Sequence, residues 1–110
     1  MADVDANKMK YQLVLQFPID EHSDFDALID LEDRLLRRIG ENHIVDGHDF
    51  GSGEMHIFIH TNDPEQAFRS ALPQVDANLL PNLRAAYREL EGEEYHWLHP
   101  SDSEEEFTIA

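Results

Sequence analysis

Residues 43–60 read HIVDGHDFGSGEMHIFIH, and this stretch predicts a β-hairpin. The arms His43–Phe50 and Glu54–His60 have the composition of strands, and the glycine-containing connection Gly51–Gly53 suits a hairpin loop. Successive side chains of a strand point to opposite faces, so the second arm has one fully apolar side, which we expect to face the core. That side carries Met55, Ile57 and Ile59. The other side carries Glu54, His56, Phe58 and His60.

The segments on either side of the hairpin predict further elements around the same core. Upstream, Lys10–Phe17 alternates apolar and polar residues, which is typical of a half-buried strand, and Pro18 ends it. Apolar residues then recur at helical spacing over Phe25–Ile39, and Gly40 fits the end of that helix. Downstream of the hairpin, Asp63–Pro64 predicts the start of a second helix, with a capping residue followed by proline.

The last part of the chain has two interpretations. Spacing of the apolar residues from Leu83 to Leu90 fits a helical stripe. Alternatively, Arg84–Leu90 is a strand, Glu91–Gly92 is a turn, and Glu93–Leu98 is the partner strand. Aromatic residues in the second arm favour strands, so we favour the hairpin.

The order strand, helix, strand, strand, helix, strand predicts an α+β, ferredoxin-like fold with the split β-α-β arrangement. Two helices would cover one face of an antiparallel sheet, and the other face would be free. We expect a flexible N-terminus at residues 1–9, a single domain at residues 10–100, and an acidic C-terminal tail at residues 101–110. The end of the tail, Phe107–Ala110, either is disordered or adds an extra C-terminal strand.

Three segments carry a resemblance to known proteins: residues 11–17 (YQLVLQF), 46–54 (DGHDFGSGE) and 106–110 (EFTIA). They resemble a family of small acidic bacterial proteins of unassigned function, and the resemblance implies a ferredoxin-like fold. In size and charge the chain is also similar to immunity proteins of bacterial toxin systems. Neither resemblance implies a catalytic residue.

The charge of the chain restricts its partners. It has 24 acidic and 8 basic residues in 110, a formal net charge of -16. Such a surface repels phosphate backbones and anionic lipids, so we expect neither nucleic-acid nor membrane binding. In one interpretation the charge keeps the protein soluble. In the other it attracts a basic protein partner. There is no cysteine, and the start of the chain does not have the pattern of a secretory signal, so we expect a cytoplasmic location.

These observations predict a non-enzymatic binding protein that engages a protein partner, with a homodimer as a further option. Acidic side chains would steer a basic partner toward the surface, and aromatic side chains on the free sheet face would anchor it. The acidic candidates are Glu91, Glu93 and Glu94. The aromatic candidates are Phe58, Tyr95 and Trp97.

The histidines of the first hairpin raise a different hypothesis, a divalent-metal or small-ligand site. If the hairpin pairs symmetrically around Gly51–Gly53, His48 opposes His56, and Asp46 and Glu54 lie nearby on the same face. Two imidazoles and a carboxylate can hold a zinc-like ion. The alternative is a set of solvated histidines on an open sheet face. A change of one residue in the loop would destroy the pairing.

Overall fold

The computed structural model describes residues 9–19, 22–40, 42–51, 53–99 and 107. They form five strands and two helices, and two short 3₁₀ turns at Leu72–Gln74 and Leu80–Asn82 follow the second helix. In chain order the elements are β1 (Tyr11–Pro18), α1 (His22–Arg38), β2 (His43–Gly51), β3 (Glu54–Thr61), α2 (Pro64–Ala71), β4 (Arg84–Glu89) and β5 (His96–His99).

The strands form one sheet in the order β2-β3-β1-β4-β5, and every neighbouring pair is antiparallel. The predicted α+β class, with an antiparallel open sheet and two helices, is confirmed. The prediction that Arg84–Leu90 is a strand is also confirmed, since β4 covers nearly all of it. Its partner β5 is shorter than the predicted arm Glu93–Leu98 and begins at His96.

Both helices pack against the same face of the sheet, here called the helix face. In β3, the predicted apolar row of Met55, Ile57 and Ile59 is fully buried on this face. Each helix has apolar residues on one side, because they recur at helical spacing, and this side covers the core on the helix face. The stripes consist of Leu28, Leu31 and Leu35 in α1 and of Ala67, Phe68 and Ala71 in α2.

Local signals in the sequence fix the start of α2. The Asp63 side chain accepts a hydrogen bond of 3.1 Å from the backbone N–H of Gln66, and Pro64 occupies the first helical position, as predicted. Arg34 of α1 then donates to the backbone carbonyl of Gln74 at 3.0 Å and lies 3.2 Å from the Asp76 carboxylate. These contacts tie α1 to the turn that follows α2.

The register of the first hairpin differs from the prediction. Gly51 pairs with Glu54, so the connection has two residues rather than three, and Gly53 adopts a φ of 77°. Near the other end of β2, a bulge falls between Val45 and Gly47, where Gly47 has a φ of 139°. The predicted pairing of His48 with His56 is therefore wrong, because a shift of one residue sends alternate side chains to the other face.

Two residues at the ends of the chain are described and buried. Met9 lies within the predicted flexible N-terminus and is 6% exposed. Phe107 lies within the predicted acidic tail and is 5% exposed. The remainder of both predicted segments, residues 1–8, 101–106 and 108–110, lies outside the described residues. The expected flexibility of these segments therefore stays a prediction.

Candidate functional site

The face of the sheet opposite the helices, here called the second face, carries the side chains that the core does not use. Cross-strand partners in an antiparallel sheet share a face, so the register defines rows of side chains across the strands. One row is apolar and joins Phe58, Val14, Ala86 and Trp97. The neighbouring row is polar and joins Asp49, His56, Gln16 and Arg84.

The apolar row forms the floor of a site that Phe107 fills. Phe107 packs on Val14 and Ala86, which are fully buried, and three partly buried aromatic residues surround it. Its ring centroid lies 5.1 Å from that of Tyr95 and 5.2 Å from that of Trp97, the latter in a T-shaped arrangement. We call the set of contacting residues the aromatic seat. It consists of Val14, Phe58, Ala86, Tyr95 and Trp97.

The aromatic seat holds all three predicted aromatic anchors, Phe58, Tyr95 and Trp97. Burial of a phenylalanine ring is worth about 1.5–3 kcal/mol, and well-oriented ring pairs add about 0.5–1.5 kcal/mol. The contacts of the seat therefore hold Phe107 on the sheet. Phe107 is not among the residues predicted for the site from the sequence. The signal in the sequence was an aromatic residue directly after the acidic run Ser101–Glu106. A phenylalanine gains no stability when it is exposed to solvent, so its presence there suggests a packing contact.

The polar row is held together by His56, whose side chain is 0% exposed. Its Nδ1 lies 2.9 Å from the Asp49 carboxylate, and its Nε2 lies 3.1 Å from the side-chain nitrogen of Gln16. With the Gln16 nitrogen as the donor, Nε2 accepts and Nδ1–H donates to Asp49. Glu54 is also near, at 3.9 Å from Nε2. Both imidazole nitrogens are thus used inside the sheet.

The four residues predicted to hold a metal ion do not converge. His48 pairs with Ile57 and lies on the helix face, where its Nδ1 is 2.8 Å from the Glu32 carboxylate of α1. His56 and Glu54 lie on the second face. Asp46 is next to a different histidine, with 3.6 Å between its Oδ2 and Nε2 of His60. Among the residues that the structure describes, no group of three or more histidine, aspartate and glutamate side chains is arranged to hold a metal ion.

His60 has one unsatisfied ring atom. Its Nε2 lies 3.3 Å from the Gln12 side-chain oxygen, but the buried Nδ1 has no hydrogen-bond partner among the described residues. A buried polar atom without a partner is costly, about 1–3 kcal/mol. A single nitrogen of this kind does not define a ligand site.

The three predicted acidic residues lie on the loop between β4 and β5. Glu91, Glu93 and Glu94 are all exposed, and none forms an ion pair with another described residue. Arg88 organises the start of this loop, because its Nη1 lies 3.1 Å from each of three backbone carbonyl oxygens. Those carbonyls belong to Glu89, Leu90 and Gly92. We call residues 89–94 the acidic loop. It leads directly into Tyr95 of the aromatic seat.

A cleft of about 370 Å³ opens at one end of the polar row. Its polar lining residues are Gln16, Glu54, Asn82 and Arg84, and its other lining residues are Pro18, Pro81 and Leu83. An acidic, a basic and two amide residues therefore line one concave surface. These groups are suited to a small polar ligand.

Comparisons with protein-family models, with characterised protein sequences and with solved structures give no significant match. In the part of the chain that the structure describes, no helix has the length and apolar character needed to cross a bilayer.

Proposed function

We propose that this chain is a non-enzymatic, cytoplasmic binding protein that engages a basic protein partner through the acidic loop and the second face of the sheet. The observation that carries the proposal is the acidic loop itself. Three exposed glutamates without a cationic partner among the described residues stand on a turn that Arg88 holds by three carbonyl contacts.

The held turn matters because binding costs less when the binding surface is already ordered. Charges on an ordered loop attract a basic surface, raise the rate of encounter and fix the orientation of the partner. The formal net charge of -16 also attracts a basic partner, and it does so over a longer range than the loop. The position of the loop next to the aromatic seat gives such a partner both charged and apolar contacts.

A charge-matched pair of variants tests this proposal. The loop variant is E91Q/E93Q/E94Q, and the control is D26N/D30N/E65Q, which removes three exposed acidic charges from the helices. The probe is a lysine-rich peptide, measured by calorimetry at low salt. At about 0.5 kcal/mol for each rim charge, the loop variant should lose about tenfold in affinity.

The control variant separates a defined site from attraction to the net charge. If both variants lose affinity equally, the peptide senses only the total charge of the chain, and the acidic loop is not a binding site. If the loop variant binds as tightly as the unmodified chain, the proposal fails as well.

We further propose that the topology is ferredoxin-like. Support comes from the strand order. The strands β1 and β2 are separated by β3, and the strands β3 and β4 are separated by β1. Each of these separated pairs is connected through one helix, which is the pattern of the split β-α-β unit. In this proposal β5 is an addition at the outside of β4. NMR contacts between backbone amides of β1 and of both β3 and β4 in solution would test it.

A second candidate function is the binding of a small ligand next to the first hairpin, and the cleft beside Gln16 and Glu54 favours it. NMR titrations with small polar compounds should then shift the amides of Asn82 and Leu83, which line the cleft. A zinc titration addresses the metal hypothesis in the same samples, with shifts expected at residues 46–56. Shifts scattered over the whole sheet would contradict a local site.

A further inference from the structure

The cleft at the end of the polar row lies where β1 continues past the end of β4. Pairing of β1 with β4 stops at Gln16 and Arg84, whereas pairing of β1 with β3 continues to Pro18 and Glu54. The chain before β4 forms the 3₁₀ turn Leu80–Asn82, so β4 does not extend alongside the last residues of β1. The cleft of about 370 Å³ occupies this step in the sheet.

Backbone hydrogen bonds hold both sides of the cleft. On one side, the N–H of Ile19 donates to the carbonyl of Gly53 at 2.7 Å. On the other side, the N–H of Leu83 donates to the carbonyl of Leu80 at 3.2 Å, and Leu83 is buried in the core. Ligand pockets are usually formed before the ligand binds, and a volume near the lower end of their range of about 300–1,000 Å³ suits a small molecule.

Gln16 forms the floor of the cleft, since it lines the cleft and is only 3% exposed. Its side-chain nitrogen lies 3.1 Å from Nε2 of His56, and Nδ1 of His56 lies 2.9 Å from the Asp49 carboxylate. This chain of hydrogen bonds fixes the orientation of the Gln16 amide. Binding to a group that is already ordered costs less conformational entropy, so the floor is prepared for a polar ligand.

Residues of opposite charge flank this floor. The Glu54 carboxylate is 3.9 Å from Nε2 of His56, which places it on the second face beside Gln16. Arg84 is the cross-strand partner of Gln16 and shares that face. From a strand spacing of about 4.8 Å and a rise of about 3.4 Å per residue, the Cα atoms of Glu54 and Arg84 are about 12 Å apart. Both side chains are long enough to contact one small molecule that lies between them.

Arg84 can hold a carboxylate in addition to the contacts that it makes within the chain. A guanidinium group carries more N–H donors than one bidentate carboxylate pair uses. Arg84 is also exposed, so a ligand reaches it from solvent. A further contact of Arg84 within the chain is therefore compatible with ligand binding.

We propose that the cleft binds a small zwitterion, an α-amino acid, with its ammonium group on Glu54 and its carboxylate on Arg84. This inference rests on the second candidate function, the binding of a small ligand, and names the class of ligand. A zwitterion has no net charge, so the formal net charge of -16 does not repel it as it repels an anion. The remaining lining residues suit an apolar side chain of the ligand, and they are Pro18, Pro81 and Leu83.

Three compounds with the same apolar part test the need for both charges. L-Leucine carries both groups, L-leucinamide lacks the carboxylate, and isocaproate lacks the ammonium group. Each is titrated into the isotope-labelled chain at neutral pH, at concentrations up to about 10 mM, which detects millimolar affinity by NMR. Leucine should shift the amides of Asn82 and Leu83, and it should bind at least about tenfold more tightly than either analogue, the value expected for one charge-assisted contact.

Two variants assign each charged group of the ligand to its wall. E54Q should weaken the binding of leucine and leucinamide and leave that of isocaproate unchanged. R84Q should weaken the binding of leucine and isocaproate and leave that of leucinamide unchanged. The matched controls are E65Q and R69Q, which remove the same charges from exposed positions of α2 and should bind leucine normally. Thermal melting of all four variants establishes that they fold.

The outcomes separate this inference from the small-ligand function on which it rests. If the three compounds bind equally, or if the control variants lose as much affinity as E54Q and R84Q, the charges of the cleft do not select the ligand, and the inference is overturned. If glucose, a neutral polar compound, shifts the amides of Asn82 and Leu83 and leucine does not, the small-ligand function stands and the inference fails. If neither compound shifts them, both fail.

Discussion

Four polar residues are buried in this sheet, and each bonds to another strand or turn. Gln16 and His56 join β1 to β3 through the 3.1 Å contact between their side-chain nitrogens. His43 and Thr61 join β2 to β3, with 2.7 Å between Nδ1 and Oγ1. Such pairs fix the relative position of strands because an unbonded polar group in the interior is costly. They explain how the sheet tolerates histidines in places where the sequence suggested solvated ones.

His43 gives the chain a predictable response to pH. Burial lowers the pKa of His43 below its ordinary value of 6.5, and the negative charge of Asp63 opposes part of this shift. The unfolded chain therefore binds more protons than the folded chain at pH values between the folded pKa and 6.5. The free energy of unfolding should fall as the pH decreases through this window and stay at its full value above it.

Urea unfolding of the unmodified chain and of H43Q over pH 5–8 measures this effect. H43Q should reduce the loss of stability between neutral and acidic pH, because glutamine does not titrate. The exposed His96 supplies a control, and H96Q should keep the loss. A pH dependence in H43Q as steep as in the unmodified chain would show that another group is responsible.

At the scale of secondary structure, alternation and capping residues were sufficient to predict most elements. The Lys10–Phe17 pattern predicted β1, Asp63–Pro64 predicted the start of α2, and the apolar row of β3 lies where the alternation put it. The hairpin register was not predictable from the stretch Gly51–Gly53. All three residues can form the loop, or Gly51 can belong to the strand and leave a loop of two residues. The error of one position concerned the pairing of His48, which lies on the helix face next to Glu32 and not opposite His56.

The aromatic seat was predictable only in part. Phe58, Tyr95 and Trp97 were recognised as aromatic residues of a free face, and the structure brings them together. The sequence signal for Phe107 was only its aromatic character after an acidic run, since residues 101–106 give no periodic pattern that would predict its place on the sheet. A contact between elements that are distant in sequence is set by packing in three dimensions, which alternation within a single strand does not encode.

Gly47 offers a test of the bulge in β2. Its φ of 139° is strained for a residue with a side chain, while a Cβ there would meet no atom within 4 Å. G47A should therefore destabilise the chain through its backbone alone, by about 1–3 kcal/mol. The matched control is G92A, where φ is not in this region and the nearest side-chain contact would be an ordinary 3.5 Å.

Thermal and urea unfolding of the two glycine variants would give the comparison. G92A should change the free energy of unfolding much less than G47A. Equal losses in both variants would mean that the positive φ of Gly47 is not what limits substitution at the bulge.

At the scale of the whole molecule, the dominant quantity is the formal net charge of -16. Self-repulsion of like charges destabilises a compact chain, and dissolved salt screens it. The Debye length falls from about 30 Å at 0.01 M to about 8 Å at 0.15 M ionic strength. Raising the NaCl concentration over this range should increase Tm by about 4 °C or more, which corresponds to about 1 kcal/mol for a chain of this size.

The variant D26N/D30N/E65Q has three fewer acidic charges and should show a smaller increase of Tm with salt. Scanning calorimetry of both proteins at several salt concentrations checks this. A Tm that does not change with salt would mean that the acidic groups are far enough apart to be screened by water alone.

The bulge between Val45 and Gly47 lies in β2, an outermost strand of the sheet. An outermost strand exposes unpaired N–H and C=O groups, which can recruit strands from other molecules and start aggregation. Bulges, charged side chains and short strands all block such growth. In this chain β2 combines its bulge with the exposed carboxylates of Asp46 and Asp49, and β5 on the opposite border has four residues. Both borders therefore resist sheet extension, and the chain is expected to stay dispersed even when it is concentrated.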